Sequence, residues 1–243
     1  MIRALLMALT MALTMAGSVH AETLRIGTET DYWPYIFRTE TGQRAGFDVE
    51  LMALICKRGG FDCVWDEVSF DHIVTGVADG RFDVSIGGIG TTPQRDRLVD
   101  WTRPYRVIET GMSHFAGLSR DIDVTKARIG VQGETIMEDV LVDNGYVAIA
   151  FPSNSAVIEA LLAGKVDAIF TSSSYLTQID QSGTQLIDLG YISYPDGGPQ
   201  IAVLKGNSDL RRRLNGLIEG LEADGSLTML NAIWFPQGNA TDL

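Results

Sequence analysis

The sequence has little positive charge and few histidines. Nineteen lysines and arginines stand against 31 aspartates and glutamates, for a net charge of -12 over 243 residues. A chain of this balance lacks the basic surface with which proteins bind nucleic acid or anionic lipid. Its three histidines, His20, His72 and His114, are too scattered to predict a metal site. We therefore expect no nucleic-acid partner, no metal and no cofactor.

Long hydrophobic runs are also missing, except at the start of the chain. MIRALLMALTMALTMAGSVHA combines the positive charge of Arg3, a short apolar run and a small-residue ending at Ala21. This pattern predicts a secretory signal peptide over residues 1–21 that is cleaved after Ala21, so that the mature protein is exported. An uncleaved N-terminal anchor is the alternative.

Only two cysteines are present, Cys56 and Cys63, both in ICKRGGFDCVW. In an exported chain this spacing predicts a short-loop disulfide that joins a helix end to the next strand and stabilises the fold by about 2–3 kcal/mol. Two buried free thiols are the alternative.

The rest of the chain alternates strand-like and helix-like segments, which is typical of an α/β protein. One unit occurs twice: VTGVADGRFDVSI (74–86) aligns with IEALLAGKVDAIF (158–170), and LRIGT (24–28) with ARIGV (127–131). Each copy predicts a helix, a glycine at its end and an apolar strand that carries Asp83 or Asp167. The repeat indicates two similar α/β lobes.

Two such lobes predict a cleft at the carboxyl ends of their strands. Those ends are polar or rich in glycine, and they lie at 28–32, 87–92, 132–135 and 171–174. Crossings between the lobes are predicted within 101–111 and 194–200. Lobe one is therefore expected to comprise residues 22–108 and 197–243, and lobe two residues 109–196. Two amphipathic helices in 208–235 are expected to pack on lobe one.

The stretch SIGGIGTTPQR (85–95) places an arginine in an unusual position. Thr92 is a good N-cap and Pro93 a good first helical residue, which predicts that a helix starts here. Arg95 would then lie where the helix dipole disfavours a cation. An arginine directed, together with backbone N–H groups, at a bound anion explains that placement.

The segment GFDVELMALICKRG (46–59) predicts a helix in which Gly46 makes the preceding turn and Asp48 is the cap. Its predicted buried face is formed by Val49, Leu51, Leu54 and Ile55. Together with TPQR, the lobe repeat and ADGSLTML near the C-terminus, this segment resembles the bacterial extracellular solute-binding proteins of polar amino acid uptake. The family includes lysine/arginine/ornithine, histidine and glutamine receptors, and the resemblance covers residues 23 to 235.

The resemblance implies the two-lobed periplasmic binding protein fold of type II. It also implies a monomeric periplasmic receptor that closes around a small carboxylate-bearing solute and hands it to the membrane permease of an ABC transporter. The position of Arg95 matches the arginine that holds the ligand carboxylate. The other positions that match ligand-facing residues of the family are Glu29, Tyr32, Trp33, Phe70 and Gly88. Thr92, at the same strand end as Gly88, is a further candidate for ligand binding.

Several of these residues also have a purely structural interpretation. Trp33 and Tyr32 precede Pro34 in a loop and could cover the sheet edge. Glu29 could be a cap, and Arg95 could form an ion pair with Asp31 or Asp96.

The sequence departs from the family pattern at three places. Ser172 stands where these receptors place an aspartate for the ligand's α-ammonium, and Gly90 stands where a serine is common. Glu134, followed by Thr135, replaces a hydroxyl residue that assists the carboxylate. Either Glu134 has become the ammonium partner, or the ligand is a carboxylate without an α-amino group, or Glu134 and Arg95 pair with each other when the cleft closes.

Two other function classes remain as alternatives. Periplasmic cyclohexadienyl dehydratases resemble these receptors, and Glu134 would be the acid that lobe two supplies for such an enzyme. A sensor or accessory protein for another membrane partner is the second. No nucleophile and base spacing or phosphate-binding loop stands out, so we expect a receptor and not an enzyme.

Overall fold

The computed structural model describes residues 21–236. Residues 1–20 of the predicted signal peptide lie outside the described residues, as do residues 237–243. No helix within the described part of the chain is long and apolar enough to cross a membrane.

Thirteen strands and seven α-helices follow one another in the described residues. The strands are β1 Glu22–Thr28, β2 Asp31–Tyr32, β3 Ile36–Arg38, β4 Arg44–Ala45, β5 Phe61–Glu67, β6 Val84–Ser85, β7 Val99–Trp101, β8 Thr110–Gly117, β9 Arg128–Gln132, β10 Val147–Phe151, β11 Ala168–Ser172, β12 Ile187–Pro195 and β13 Ala202–Leu204. The helices are α1 Phe47–Gly59, α2 Ile73–Ala78, α3 Ile136–Asp143, α4 Asn154–Leu162, α5 Ser173–Gln181, α6 Ser208–Ala223 and α7 Ser226–Trp234. Two 3₁₀ turns occupy Phe70–His72 and Arg95–Arg97.

Two five-stranded sheets organise the fold. The first has the order β5-β1-β6-β13-β7 and the second the order β10-β9-β11-β8-β12, while β2, β3 and β4 form a small separate sheet. The chain passes between the two large sheets along residues 102–109 and again along 196–201. The fold is therefore α/β with two lobes. Lobe one is built on the first sheet and lobe two on the second.

The structure shows the internal repeat as two equivalent strand pairs. Arg25 donates from its backbone N–H and its guanidinium to Asp83, and Arg128 donates to Asp167 with the same pattern. The backbone bonds are at 2.8 Å in both lobes. Each arginine lies on the first parallel strand of its lobe, and each aspartate lies just before the strand that pairs with it.

A disulfide and a helical layer stabilise lobe one. Cys56 in α1 is bonded to Cys63 in β5, which confirms the predicted disulfide. The predicted C-terminal helices are α6 and α7, and both pack on α1. Their buried leucines and isoleucine join the core of the first sheet and are Leu210, Leu214, Ile218, Leu221, Leu227 and Leu230.

The prediction of a helix from Pro93 is wrong. Thr92 accepts a hydrogen bond from the N–H of Arg95 at 3.2 Å, but only the single 3₁₀ turn Arg95–Arg97 follows. Buried β7 begins at Val99, so the chain must become extended before a helix can propagate. The helix-dipole argument for Arg95 therefore does not apply, and its position depends on the contacts described below.

Asp48 was also predicted wrongly as a cap. The N-cap of α1 is Gly46, at φ 127°, and no side chain caps this helix end. A Cβ at Gly46 would lie 2.3 Å from the carbonyl oxygen of Tyr35, so only glycine fits. Asp48 is buried and accepts the N–H of Gly88 at 2.8 Å, and burial raises the pKa of its carboxyl to about 7. Asp48 therefore anchors the loop that carries Gly88.

We predict that Gly27→Ala in β1 destabilises the protein by about 1–3 kcal/mol because the core is overpacked. A Cβ at Gly27 would lie 2.2 Å from Cδ2 of Phe82, which is a fully buried ring. The control is Gly216→Ala in α6, where nothing lies within 4 Å, and it should stabilise by about 0.5–1 kcal/mol. Urea unfolding measures both, and an unchanged midpoint for Gly27→Ala contradicts the packing argument.

Candidate ligand-binding site

A cavity lies between the two lobes at the predicted strand ends. Lobe one, lobe two and the two crossing segments all contribute to its wall. The lining residues are Glu29, Tyr32, Tyr35, Phe70, Gly88, Gly90, Arg95, Ile108, Gly111, Met112, Gln132, Thr135, Ile136, Met137, Ser172, Ser174, Tyr194, Asp196 and Pro199.

Arg95 is a buried cation that bridges the lobes. It is 9% exposed, and its guanidinium donates to the carbonyl of Gly90 in lobe one and to the carbonyl of Glu134 in lobe two, both at 2.6 Å. Its carbon Cζ lies 5.2 Å from the centre of the Phe70 ring. Within residues 21–236 no carboxylate oxygen lies within 4.0 Å of the guanidinium nitrogens of Arg95. Burial lowers the pKa of Arg95. The site therefore holds a positive charge that no protein anion neutralises at contact.

Glu29 is the buried acid of the same cavity. The residue is 4% exposed and follows β1 directly. Its Oε2 accepts a hydrogen bond from Nε2 of Gln132 at 2.9 Å, whereas Oε1 has no partner among the described residues. Burial raises the pKa of Glu29 to about 8, against the lowering effect of the Gln132 hydrogen bond, and nearby Asp31 raises it further. One carboxylate oxygen is therefore left for a ligand.

Aromatic rings form the lobe-one wall next to these charges. Tyr32 stacks on Tyr35 with 5.4 Å between the ring centres. Gly88 has φ 64°, and a Cβ there would lie 2.8 Å from Cε1 of Tyr32. Glycine is thus required both by the backbone and by the close approach of the ring. Its N–H is the group that Asp48 holds.

Gly90 lies in close contact with the other lobe. A Cβ at Gly90 would lie 2.5 Å from Cδ1 of Ile136, the first residue of α3. The space that a side chain would occupy at position 90 is therefore filled from lobe two. This contact lies beside Arg95, which binds the Gly90 carbonyl.

The lobe-two wall presents hydroxyl groups at two helix starts. Thr135 donates to the carbonyl of Gln132 and caps α3 by accepting the N–H of Glu138. Ser172 caps α5 by accepting the N–H of Tyr175 at 3.3 Å. Neutral side chains therefore line the cavity where the strand β11 meets its helix.

Three predicted site residues do not line this cavity. Glu134 is exposed, and it contributes its backbone carbonyl to Arg95 while its own N–H binds Glu138. Trp33 packs against the apolar cluster of lobe two that contains Val157. Thr92 lines a neighbouring groove and caps the turn of Arg95. The predicted residues that do line it are Glu29, Tyr32, Phe70, Gly88, Arg95, Thr135 and Ser172.

Other predicted pairings of Arg95 are corrected by these contacts. Asp31 accepts the backbone N–H of Ser155 in lobe two, and Asp96 accepts the indole N–H of Trp101, so neither is the ion partner of Arg95. Arg95 does meet Glu134 across the cleft, but at the carbonyl oxygen and not at the carboxylate. Glu134 has φ 60°, which accompanies this use of its backbone.

Sequence reasoning missed Gln132, Asn154 and Ile136 as parts of the site. Gln132 ends β9 and was recognised only as the start of a polar segment. Asn154 begins α4 and makes its contacts with residues far away in the chain. These residues belong to the site because the lobes meet, which neither local pattern nor spacing encodes.

Comparisons with known proteins agree on one family and one type of structure. The model of the bacterial extracellular solute-binding proteins, family 3, matches residues 24–237. The putative ABC transporter arginine-binding protein 2 of Escherichia coli K12 is 27% identical over 242 residues, with 96% of this chain and 99% of that protein covered. The L-arginine-binding protein of Pseudomonas aeruginosa is 28% identical, with 87% of each covered. A periplasmic His/Glu/Gln/Arg/opine family-binding protein from Silicibacter pomeroyi, solved with lysine, has a TM-score of 0.80 and 29% identity, with 88% of this chain and 98% of that one covered.

The contact across the cleft predicts that Gly90→Ala and Ile136→Ala are not additive in the stability of the closed arrangement of the lobes. Gly90→Ala forces the end of the Ile136 side chain to move, and Ile136→Ala removes that clash, so the two changes should couple by about 0.5–1 kcal/mol when the lobes are closed. Unfolding midpoints of both single variants and the double variant give the coupling. Gly87→Ala is the matched control, because its nearest contact would be an ordinary 3.7 Å to Oγ1 of Thr28. Additive effects at Gly90 and Ile136 contradict the contact.

Proposed function

Because the chain belongs to the bacterial extracellular solute-binding proteins, family 3, we propose that it receives an amino acid with a cationic side chain. The amino acid binds in the cavity between the lobes, and the closed receptor delivers it to the permease of an ABC importer. The protein acts as an exported periplasmic monomer after removal of residues 1–21, and its lobe boundaries are those predicted from the sequence. Binding closes the two lobes, and no covalent step is involved.

The buried guanidinium of Arg95 is the observation that carries this proposal. A buried charge without a counter-ion is costly, and a guanidinium is well suited to bind a carboxylate through two parallel hydrogen bonds. Arg95 already uses two N–H groups on carbonyls, one from each lobe. A ligand carboxylate would neutralise the guanidinium at the point where the lobes meet, and would therefore favour the closed state.

The position of Glu29 favours a ligand that carries a positive group away from its carboxylate. Its buried Oε1 has no hydrogen-bond partner among the described residues, and Glu29 lines a cavity whose other acidic lining residue is Asp196. A carboxylate with an unused oxygen in a buried site favours a ligand ammonium or guanidinium. Similar proteins are named for arginine, and one similar structure was solved with lysine, both of which carry such a side chain.

The ligand's α-amino group faces neutral acceptors in this proposal. Ser172, at the position where an aspartate was expected, lines the cavity together with Ser174. Glu134 does not line it. We therefore do not assign the ligand's ammonium to Glu134, and the amino acids named for similar proteins favour a ligand that carries an amino group. The charge recognition depends instead on Arg95 and Glu29.

A cyclohexadienyl dehydratase activity would need an acid from lobe two in the cavity. Glu134, the lobe-two acid named from the sequence, contributes a carbonyl to Arg95 and not a carboxylate to the cavity. The lobe-two acid that does line the cavity, Asp196, lies at a crossing between the lobes and accepts the N–H of Gly198. This geometry favours a receptor over an enzyme, and incubation with prephenate tests it directly. A sensor or accessory role would use the same ligand site and differ only in the membrane partner.

We predict that arginine or lysine raises the melting temperature of residues 22–243 of the protein. A ligand at 100 times its Kd adds about 2.7 kcal/mol of stability, which corresponds to several degrees. Arg95→Met should abolish the ligand-induced shift because the carboxylate loses its partner. Arg97→Met, an exposed arginine on the same 3₁₀ turn, is the control and should keep it. A shift that persists in Arg95→Met contradicts the proposed role.

A second prediction separates the two glutamates. Glu29→Gln should weaken arginine binding by roughly 10- to 100-fold, since a charged hydrogen bond is lost. Glu134→Gln should change the affinity for arginine by less than about threefold. The carboxylate of Glu134 is exposed, and the substitution leaves unchanged the backbone carbonyl that Arg95 binds. Isothermal titration measures both. The reverse order of effects would assign the ligand's cation to Glu134.

A further inference from the structure

A chain of buried hydrogen bonds between side chains connects Glu29 to lobe two. Nε2 of Gln132 donates to Glu29, and Nδ2 of Asn154 donates to Oε1 of Gln132 at 2.7 Å. The same Nδ2 donates to the backbone carbonyl of Asp31 at 3.0 Å. Glu29 and Asp31 belong to lobe one, whereas Gln132 and Asn154 belong to lobe two. Both amide residues are 3% exposed.

The carbonyl of Asp31 determines the orientation of both amides. A backbone carbonyl can only accept, so the Asn154 atom that faces it must be the NH₂ group. The Gln132 atom that faces the same NH₂ group must then be its oxygen. The NH₂ group of Gln132 is therefore turned to Glu29, and a flipped amide would place two acceptors against each other.

This orientation assigns different tasks to the two oxygens of Glu29. With the lobes together, Oε2 accepts the N–H of Gln132, so a proton on the carboxyl is favoured on Oε1. Oε1 is also the oxygen without a partner in the described residues. A cationic ligand group replaces that proton, whereas a neutral ligand group can leave it in place.

We propose that Gln132, oriented by Asn154, is a positioning residue that makes Glu29 select a cationic over a neutral ligand side chain. The proposal rests on the proposed function and extends it from the contacting acid to two residues of the opposite lobe. Because the bridge forms only when the lobes approach, selection for charge is coupled to closure. Glu29 in an open cleft would lack the donor that fixes its Oε2.

Three other titratable groups lie near Glu29. Asp31 begins β2, two residues after Glu29, Tyr175 of α5 interacts with both acids, and Arg95 lines the same cavity. Since burial raises the pKa of Glu29 to about 8, binding of a cation below that pH releases a proton. Affinity for a cationic ligand should therefore rise with pH toward about 8, and affinity for a neutral analogue should not.

The experiment compares L-arginine with L-citrulline, whose ureido side chain has nearly the same shape and no charge. Isothermal titration at several pH values is carried out on the wild type, Gln132→Met and Asn154→Ala. Gln132→Met should lower the arginine-to-citrulline affinity ratio roughly 10- to 100-fold and move the pH dependence to higher pH, because a donor to the carboxylate is lost. Asn154→Ala should act in the same direction with a smaller effect.

Asn144→Ala is the matched control, because its exposed amide lies in lobe two and donates only to the carbonyl of Val140. It should leave the ratio unchanged. General damage to the fold lowers the affinity for both amino acids and leaves their ratio intact, so an intact ratio in Gln132→Met and Asn154→Ala overturns the inference. A wild type that binds neither amino acid contradicts the proposed function itself, and the inference with it.

Discussion

A guanidinium that is shared by two backbone carbonyls, one from each lobe, is the constraint on which the site depends. Arg95 joins Gly90 to Glu134 while remaining buried and without a contacting carboxylate in the described residues. Two backbone carbonyls accept its N–H groups but do not neutralise its charge, and the carboxylates of Asp139 and Glu134 act on it only from beyond contact distance. A buried charge without a contacting counter-ion is costly. Closure of the two sheets around this arginine therefore creates a strong preference for an anion at one place.

The buried acid of the cavity, Glu29, is also incompletely satisfied. Glu29 is buried with one satisfied oxygen and one unsatisfied oxygen, and its raised pKa reflects the cost of ionising it before a cation arrives. The glycines at 88 and 90 let a tyrosine ring and an isoleucine approach closely. The site thus combines a buried cation that lacks a contacting carboxylate in the described residues with a buried acid that a bound cation would ionise. Tightly packed neutral walls surround both groups, which suits a small solute that carries both signs of charge.

Much of the framework could be predicted from local pattern. The disulfide, the repeat with Asp83 and Asp167, and the two C-terminal helices depend on short spacings or on periodicity. The turn at Arg95 could not, because buried β7 stops the helix that Thr92 and Pro93 favour. Glu134 was predicted to act through its carboxylate, whereas the structure brings its backbone carbonyl to the other lobe. Gln132 and Asn154 gain their roles only from contacts between lobes, and such contacts leave no signature in the neighbouring sequence.

A crystal structure of the protein grown with L-arginine tests the central claim most directly. The account predicts one arginine in the cavity, with its carboxylate on the guanidinium of Arg95 and its own guanidinium on Oε1 of Glu29, while Gln132 still donates to Oε2. An arginine bound in the reverse orientation, or a carboxylate held elsewhere while Arg95 keeps only its two carbonyls, would contradict it.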